Sequence, residues 1–181
     1  MKNGACYSSN KSDPSNYRPS NLTSIICKLM ESITRDHIMN FFENSYITNK
    51  QYGFIKGRST VLQLLKIMDD WTTQLDYGGQ IDVVYTDFAK AFDTVPHHRL
   101  LCKLKTYNIN TDLVAWVSKF LCNRNQCVIL NGEQLSCFKV LSGIPQGSIL
   151  GPLLFLIYIN DLPELCAAKD PSSEIYLYAG D

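Results

Sequence analysis

LSGIPQGSILGPLLFLIYINDLP, residues 141–163, decides how the chain is read. It opens on a glycine-proline loop, Gly143-Ile144-Pro145-Gln146-Gly147, and runs into Ile149–Ile159, the longest apolar run in the sequence. Gly151-Pro152 interrupts that run, and it is too short to cross a bilayer. The stretch therefore predicts a loop that starts a buried helix reaching about Leu162. A buried helix needs partners, and the flanking sequence supplies them.

Upstream, QCVILNGEQLSCFKVLSG (126–143) predicts a β-hairpin, because Asn131-Gly132 favours a primed turn between two β-rich runs. Helices are expected at about 97–107 and 112–122. IDVVYTD (81–87) is β-branched and aromatic and predicts a buried strand that ends on an acid. Apolar positions 25, 26, 29, 30, 33, 38, 41 and 42 have helical spacing over 21–46, with Asn21 or Thr23 as N-cap. A second helix is expected over 60–76, with Val61, Leu64, Leu65, Met68, Trp71 and Leu75 on one face and Gly78-Gly79 ending it. Downstream, EIYLY (174–178) predicts a last strand leading to Ala179-Gly180-Asp181. Residues 1–15 are polar and aperiodic and predict a loose lead-in. The sum is an α+β domain, helices packed on a small, mainly antiparallel sheet.

The 181 residues carry 17 cationic and 17 acidic side chains, so net charge does not advertise a nucleic-acid partner and local placement decides. Cations gather at Lys50, Lys56 and Arg58 and again from His97 to Lys105. The seven cysteines form no CxxC pair and no zinc-like spacing, which predicts reduced thiols filling the core of an intracellular chain that is not secreted. No signal peptide is visible at the N-terminus. Asp87 and Asp181 each end an expected strand. Two such acids brought together repel unless a hard cation lies between them. As a bare pair, strand-end aspartates are more often structural than catalytic.

NYRPSNLTSIICKLMES, QYGFIKGRS, VVYTDFAKAFDTVPHHRLLCKL, LSGIPQGSILGPLLFLIYINDLP and YLYAGD occur in this order and spacing. Together they resemble the reverse transcriptase domain of LINE-type, non-LTR retrotransposons over about residues 16–181. INDLP and VPHHRLL favour that type over group II intron polymerases. The resemblance implies a right-hand polymerase, with a fingers-like region at 16–80, an incomplete palm-like region at 81–181, and the thumb and endonuclease absent. It implies RNA-directed DNA synthesis on an RNA template and DNA primer from deoxynucleoside triphosphates, with no membrane.

It also implies the site. Asp87 and Asp181 would be the catalytic, metal-binding acids, holding two Mg²⁺ ions about 4 Å apart. Phe92 would lie beneath the incoming sugar and collide with a 2′-hydroxyl. Lys56 and Arg58 would neutralise the triphosphate, although Ile55 stands where the family usually has arginine. Gly143, Pro145, Gln146, Gly147 and Ser148 would form the loop against the template and incoming base. Backbone N–H groups at the following helix start would favour a phosphate. Lys90 and Asp93 match the pattern, with Asp93 expected in structural hydrogen bonds; His97 and His98 are expected as polar residues at a helix start.

The family's last motif reads aromatic-Ala-Asp-Asp. Here Gly180 takes the place of the first aspartate, so the resemblance implies an inactive, truncated copy. The alternatives are a non-catalytic nucleic-acid-binding remnant and an unfolded pseudogene product.

Overall fold

The computed structural model describes residues 2–7, 17–130, 133–170 and 172–179, with the side chains of 21–129, 134–170 and 172–179. The elements run β1 (Lys2–Tyr7), β2 (Tyr17–Leu22), α1 (Ile25–Ser45), α2 (Thr60–Asp76), α3 (His97–Thr106), α4 (Thr111–Leu121), β3 (Asn125–Leu130), β4 (Glu133–Gln134), β5 (Phe138–Lys139), α5 (Gly151–Ile159) and α6 (Leu162–Lys169). This is a mixed α+β chain.

α5 is the centre. Its sequence GPLLFLIYI is apolar on every side, and a helix of that kind must be surrounded. Gly151, Leu153–Ile157 and Ile159 are all buried. Around it pack Ile38 and Phe42 of α1, Leu100 and Leu104 of α3, and Val114, Val117 and Leu121 of α4. Fully burying one such side chain contributes about 1.5–3 kcal/mol. Among the described residues the core cluster is helix and loop with no strand member, so this described core is built by helices packing on one another.

Polar groups fix the ends of this bundle. Asn160 is buried where α5 stops; its amide donates to the Tyr46 carbonyl at 2.8 Å and accepts from the Thr48 N–H at 3.0 Å. Pro163, which cannot donate a helical hydrogen bond, sits in the first turn of α6. Lys103 reaches from α3 to Asp161 and to the Tyr158 carbonyl. The expected helix to about Leu162 is thus two helices broken at Asn160-Asp161.

The sheet order is β2-β1-β3-β4, with β5 also paired to β3. All pairs are antiparallel except β1 with β3. Leu130 faces Glu133 in register, as the hairpin reading requires; Asn131 and Gly132 lie outside the described residues.

Several expectations are corrected. Lys2–Tyr7, taken as loose, is a strand whose backbone groups are satisfied by pairing with β2. α1 begins later than expected, and its N-cap is Ser24, whose hydroxyl accepts from the Cys27 N–H at 3.2 Å. Residues 81–88 are not a strand. They have no strand partner among the described residues, and Val84 and Tyr85 are 83% and 88% exposed. β propensity without a neighbouring ladder leaves backbone groups to water.

EIYLY is extended but makes one isolated parallel bridge, Leu177 with Gln51. α2 has the expected bounds, yet none of its residues is buried. Cys127 and Cys137 are joined as a disulfide across the hairpin, so these two are not reduced. Of the other described cysteines, Cys102 is exposed, Cys27 and Cys166 are half-buried outside the core cluster, and Cys122, half-buried, packs against that cluster as expected; the Cys6 side chain lies outside the described residues. No described helix is long and apolar enough to cross a membrane.

Candidate functional site

The loop before α5 is stitched to the turn before α3. Between Phe88 and Thr94 the chain makes tight turns, with Lys90 in the left-handed region at φ 54°. The Gly143 N–H donates to the Val95 carbonyl and the Ile144 N–H to the Phe92 carbonyl, both at 2.8 Å. Ser142 Oγ donates to the Asp93 carbonyl at 3.1 Å. Gln146 Nε2 donates to the Asp93 carboxylate at 2.8 Å. His97, buried at the start of α3, donates from Nε2 to the Gly143 carbonyl at 2.8 Å. That bond fixes the tautomer and leaves Nδ1 facing the Cys122 thiol at 3.8 Å.

Gly143 is required for two reasons. Its φ is +88°, and an added Cβ would lie 2.7 Å from the Asp93 carbonyl oxygen and 2.9 Å from its Cα.

The start of α5 is closed from inside. Glu31, a fully buried acid on α1, accepts from the Ile149 N–H at 2.7 Å and the Leu150 N–H at 3.3 Å. Ser148 Oγ accepts from the Gly151 N–H at 2.9 Å. A carboxylate at a helix N-terminus satisfies free donors and meets the positive end of the dipole. The expectation of a phosphate here is therefore overturned, because these N–H groups are already taken by Glu31 and Ser148. Glu31 also explains why α1 buries its 31-34-38-42 face and leaves Ile25, Ile26 and Leu29 exposed. Burial first, then the hydrogen bond to Glu31, pushes the Cys27 thiol above its ordinary value. Sequence reading passed over Glu31; its signal was an acid inside the apolar run of IICKLMES.

A cleft of about 380 Å³ opens beside the loop. Lys90, Asp93, Lys139, Ser142 and Gly143 line it, along with Arg124, whose Nε donates to the Leu121 carbonyl at 2.9 Å. Cations from the turn and from the hairpin thus converge next to the Gly143–Ser148 loop.

The other expected residues stand as follows. Phe92 is half-buried, stacked on Phe155 at 4.5 Å and edge-on to Phe54 at 6.4 Å. Gly147 is exposed with φ +87°. Lys56 is exposed. Arg58 turns inward, donating from Nη1 to the Thr48 carbonyl at 2.9 Å and to the Gln51 carbonyl, with its guanidinium over the Tyr52 ring. It braces its own loop.

Asp87 is exposed and not at a strand end. Gly180 and Asp181 lie outside the described residues, so the expected pairing of Asp87 with Asp181 does too. Among the described residues no three His, Cys, Asp or Glu side chains converge. Asp87 alone offers oxygen ligands of the right kind for a hard cation, but too few to cage one.

The segment that leads to residue 180 is held from several sides. Tyr176 donates to Asp70, and Lys50 pairs with Glu174. Lys66 and then Tyr176, both hydrogen-bonded to Asp70, hold that carboxyl below the usual range; burial first and then Asp70 push the Tyr176 hydroxyl up.

A profile of the family described as reverse transcriptase (RNA-dependent DNA polymerase) matches residues 9–181. The chain is 30% identical over 170 residues to the probable RNA-directed DNA polymerase from transposon X-element of Drosophila melanogaster, covering 93% of this chain and 19% of that protein. It is 30% identical to the corresponding protein of transposon BS, covering 83% of this chain and 17% of the relative. It is 28% identical to the RNA-directed DNA polymerase from mobile element jockey, covering 92% and 18%, both from the same fly. The chain thus spans about a fifth of the length of these relatives.

Proposed function

Because the chain belongs to the reverse transcriptase (RNA-dependent DNA polymerase) family, and within it is a LINE-type, non-LTR domain, we propose that it forms the fingers (16–80) and palm (81–181) of an RNA-directed DNA polymerase. Its substrates on this reading are an RNA template, a DNA primer and deoxynucleoside triphosphates. The observation that carries it is the Gln146–Asp93 hydrogen bond at 2.8 Å, with Gly143 pressed on Asp93. Two sequence blocks that carry the resemblance, some fifty residues apart, meet as one surface beside a cation-lined cleft.

In the reaction the primer 3′-hydroxyl attacks the α-phosphorus of the incoming nucleotide and pyrophosphate leaves. Asp87 and Asp181 would hold two magnesium ions, which when bound supply the positive charge that such a transfer needs. Phe92 lies under the sugar, and its stacking on Phe155 keeps the ring from yielding to a 2′-hydroxyl. Lys56 faces the triphosphate, while Arg58 shapes the loop that carries Lys56 and retains further guanidinium donors for phosphate. Gln146 and Gly147 border the templating base. Gly180 contributes no carboxylate, so this copy is impaired in chemistry while its binding surfaces remain.

Binding to an RNA–DNA hybrid tests this reading. Affinity is expected to fall steeply with salt, and Lys90→Ala with Lys139→Ala should reduce the log–log slope by about 2, about 1 per lost phosphate contact. Salt-independent binding, or a slope unmoved by the pair, contradicts the proposal. A second reading, a non-catalytic nucleic-acid-binding remnant, draws its support from Gly180. It shares the binding result and differs in synthesis.

A further inference from the structure

We infer that Gln51 is a positioning residue for the reaction: its side-chain amide holds the peptide of Ala179, which leads directly into Gly180-Asp181. The inference rests on the polymerase reading, in which Asp181 is a metal-binding acid.

Gln51 is only 2% exposed, and a buried amide must have its donors and acceptor satisfied. Its Oε1 accepts from the Ala179 N–H at 2.9 Å and the Gly53 N–H at 2.8 Å, and its Nε2 donates to the Ala179 carbonyl at 3.3 Å. One side chain therefore engages both backbone groups of one residue, as a neighbouring strand would. Main-chain bonds continue the grip: the Tyr52 N–H donates to the Leu177 carbonyl at 2.8 Å and the Leu177 N–H to the Lys50 carbonyl at 2.9 Å.

Gly53 makes the approach possible. A Cβ there would lie 2.3 Å from the Ala179 nitrogen. Ala179 itself is held at φ +59°, a conformation that a non-glycine residue adopts at a cost and that the surroundings must impose. The grip thus orders strained backbone immediately before Gly180-Asp181 in the chain. Apart from Ala179, the Gly53 N–H is the described partner of the Gln51 side-chain amide. Its neighbours explain why QYG is a unit: glutamine to bond, glycine to let the other backbone in.

The test uses the full chain carrying Gly180→Asp, with Gln51→Leu and Gln51→Glu added separately. Glutamate keeps the acceptor and loses the donor; leucine loses both. Gln51→Leu is expected to speed amide exchange at Ala179 and to weaken Mn²⁺ binding, read by electron paramagnetic resonance, roughly 10–100-fold, the usual effect of removing an outer support of a metal site. Gln51→Glu should fall between. Thermal midpoints report any general loss of folding, which would speed exchange throughout the chain and not at Ala179 selectively.

Asp87→Asn is the control. If it abolishes Mn²⁺ binding while Gln51→Leu leaves both Mn²⁺ affinity and Ala179 exchange unchanged, the inference is overturned and the polymerase reading stands. If Asp87→Asn changes nothing, the polymerase reading fails and this inference with it.

Discussion

Gly180→Asp is expected to raise primer extension on an RNA template on the order of 10²–10⁴-fold, the return of roughly 3–5 kcal/mol of charge stabilisation in the transition state. The measurement places residues 9–181 in the matching segment of the X-element polymerase, because the chain spans 19% of that relative. The size follows from the chemistry. Phosphoryl transfer asks the protein for little beyond positioned charge, so a missing carboxylate removes much of what it supplies. Binding of the RNA–DNA hybrid should be the same for both forms, which separates loss of chemistry from loss of fold. Equal, robust synthesis by both would refute the role given to position 180. Equal absence of synthesis with hybrid binding intact would favour the non-catalytic reading.

Gly143→Ala is expected to destabilise the chain by about 2–5 kcal/mol, combining the left-handed backbone penalty with overpacking against a rigid neighbour. For a chain of this length that lowers the thermal midpoint by roughly 5–15 °C. The nearest atoms to the new Cβ are the carbonyl oxygen, Cα and carbonyl carbon of Asp93, all backbone, and none can swing aside. Relief would require breaking the Gly143–Val95, Ile144–Phe92 and Gln146–Asp93 bonds that join the loop to the turn. Gly57→Ala is the comparison. Gly57 has φ +79° but nothing within 4 Å of its Cβ position, so it carries the backbone penalty alone. Equal losses for the two would show that the contact with Asp93 has no weight.

Much of the fold was legible in the sequence, for identifiable reasons. α5 was visible because an all-apolar helix has only one place to go. α2, α3 and α4 were visible through periodicity and their stops, and the hairpin register through β-rich runs spaced by two turn residues. What failed were inferences that depend on partners. IDVVYTD has strand chemistry but meets no ladder among the described residues, so Val84 and Tyr85 stay in water. The apolar stripes of α2 and of the first half of α1 have correct helical spacing, yet spacing does not say what covers a face. Pairing of Cys127 with Cys137 depends on the two hairpin arms coming together, which no count of cysteines reveals.

The site divides in the same way. The loop residues Gly143 to Ser148 were found through their types and their resemblance, and three residues of that loop, Gly143, Ile144 and Gln146, meet Asp93 and Phe92. Arg58 was found as a cation, but its inward bonds to Thr48 and Gln51 follow from loop shape. Glu31 and Gln51 were missed because their work is done on backbone groups, and a sequence does not display which N–H lacks a partner. Both are polar residues buried to within 2% exposure, a property that appears only when the chain is folded.

The central claim is that Asp87 and Asp181 face one another across a nucleic-acid groove. Crystals of the chain with an RNA–DNA hybrid, a deoxynucleoside triphosphate and Mn²⁺ would test it through the anomalous scattering of manganese. A peak bridging the two carboxylates, at about the 2.0–2.2 Å ligand distance of a small octahedral cation, is the expected result. Carboxylates on separate surfaces, with manganese at neither, would contradict it.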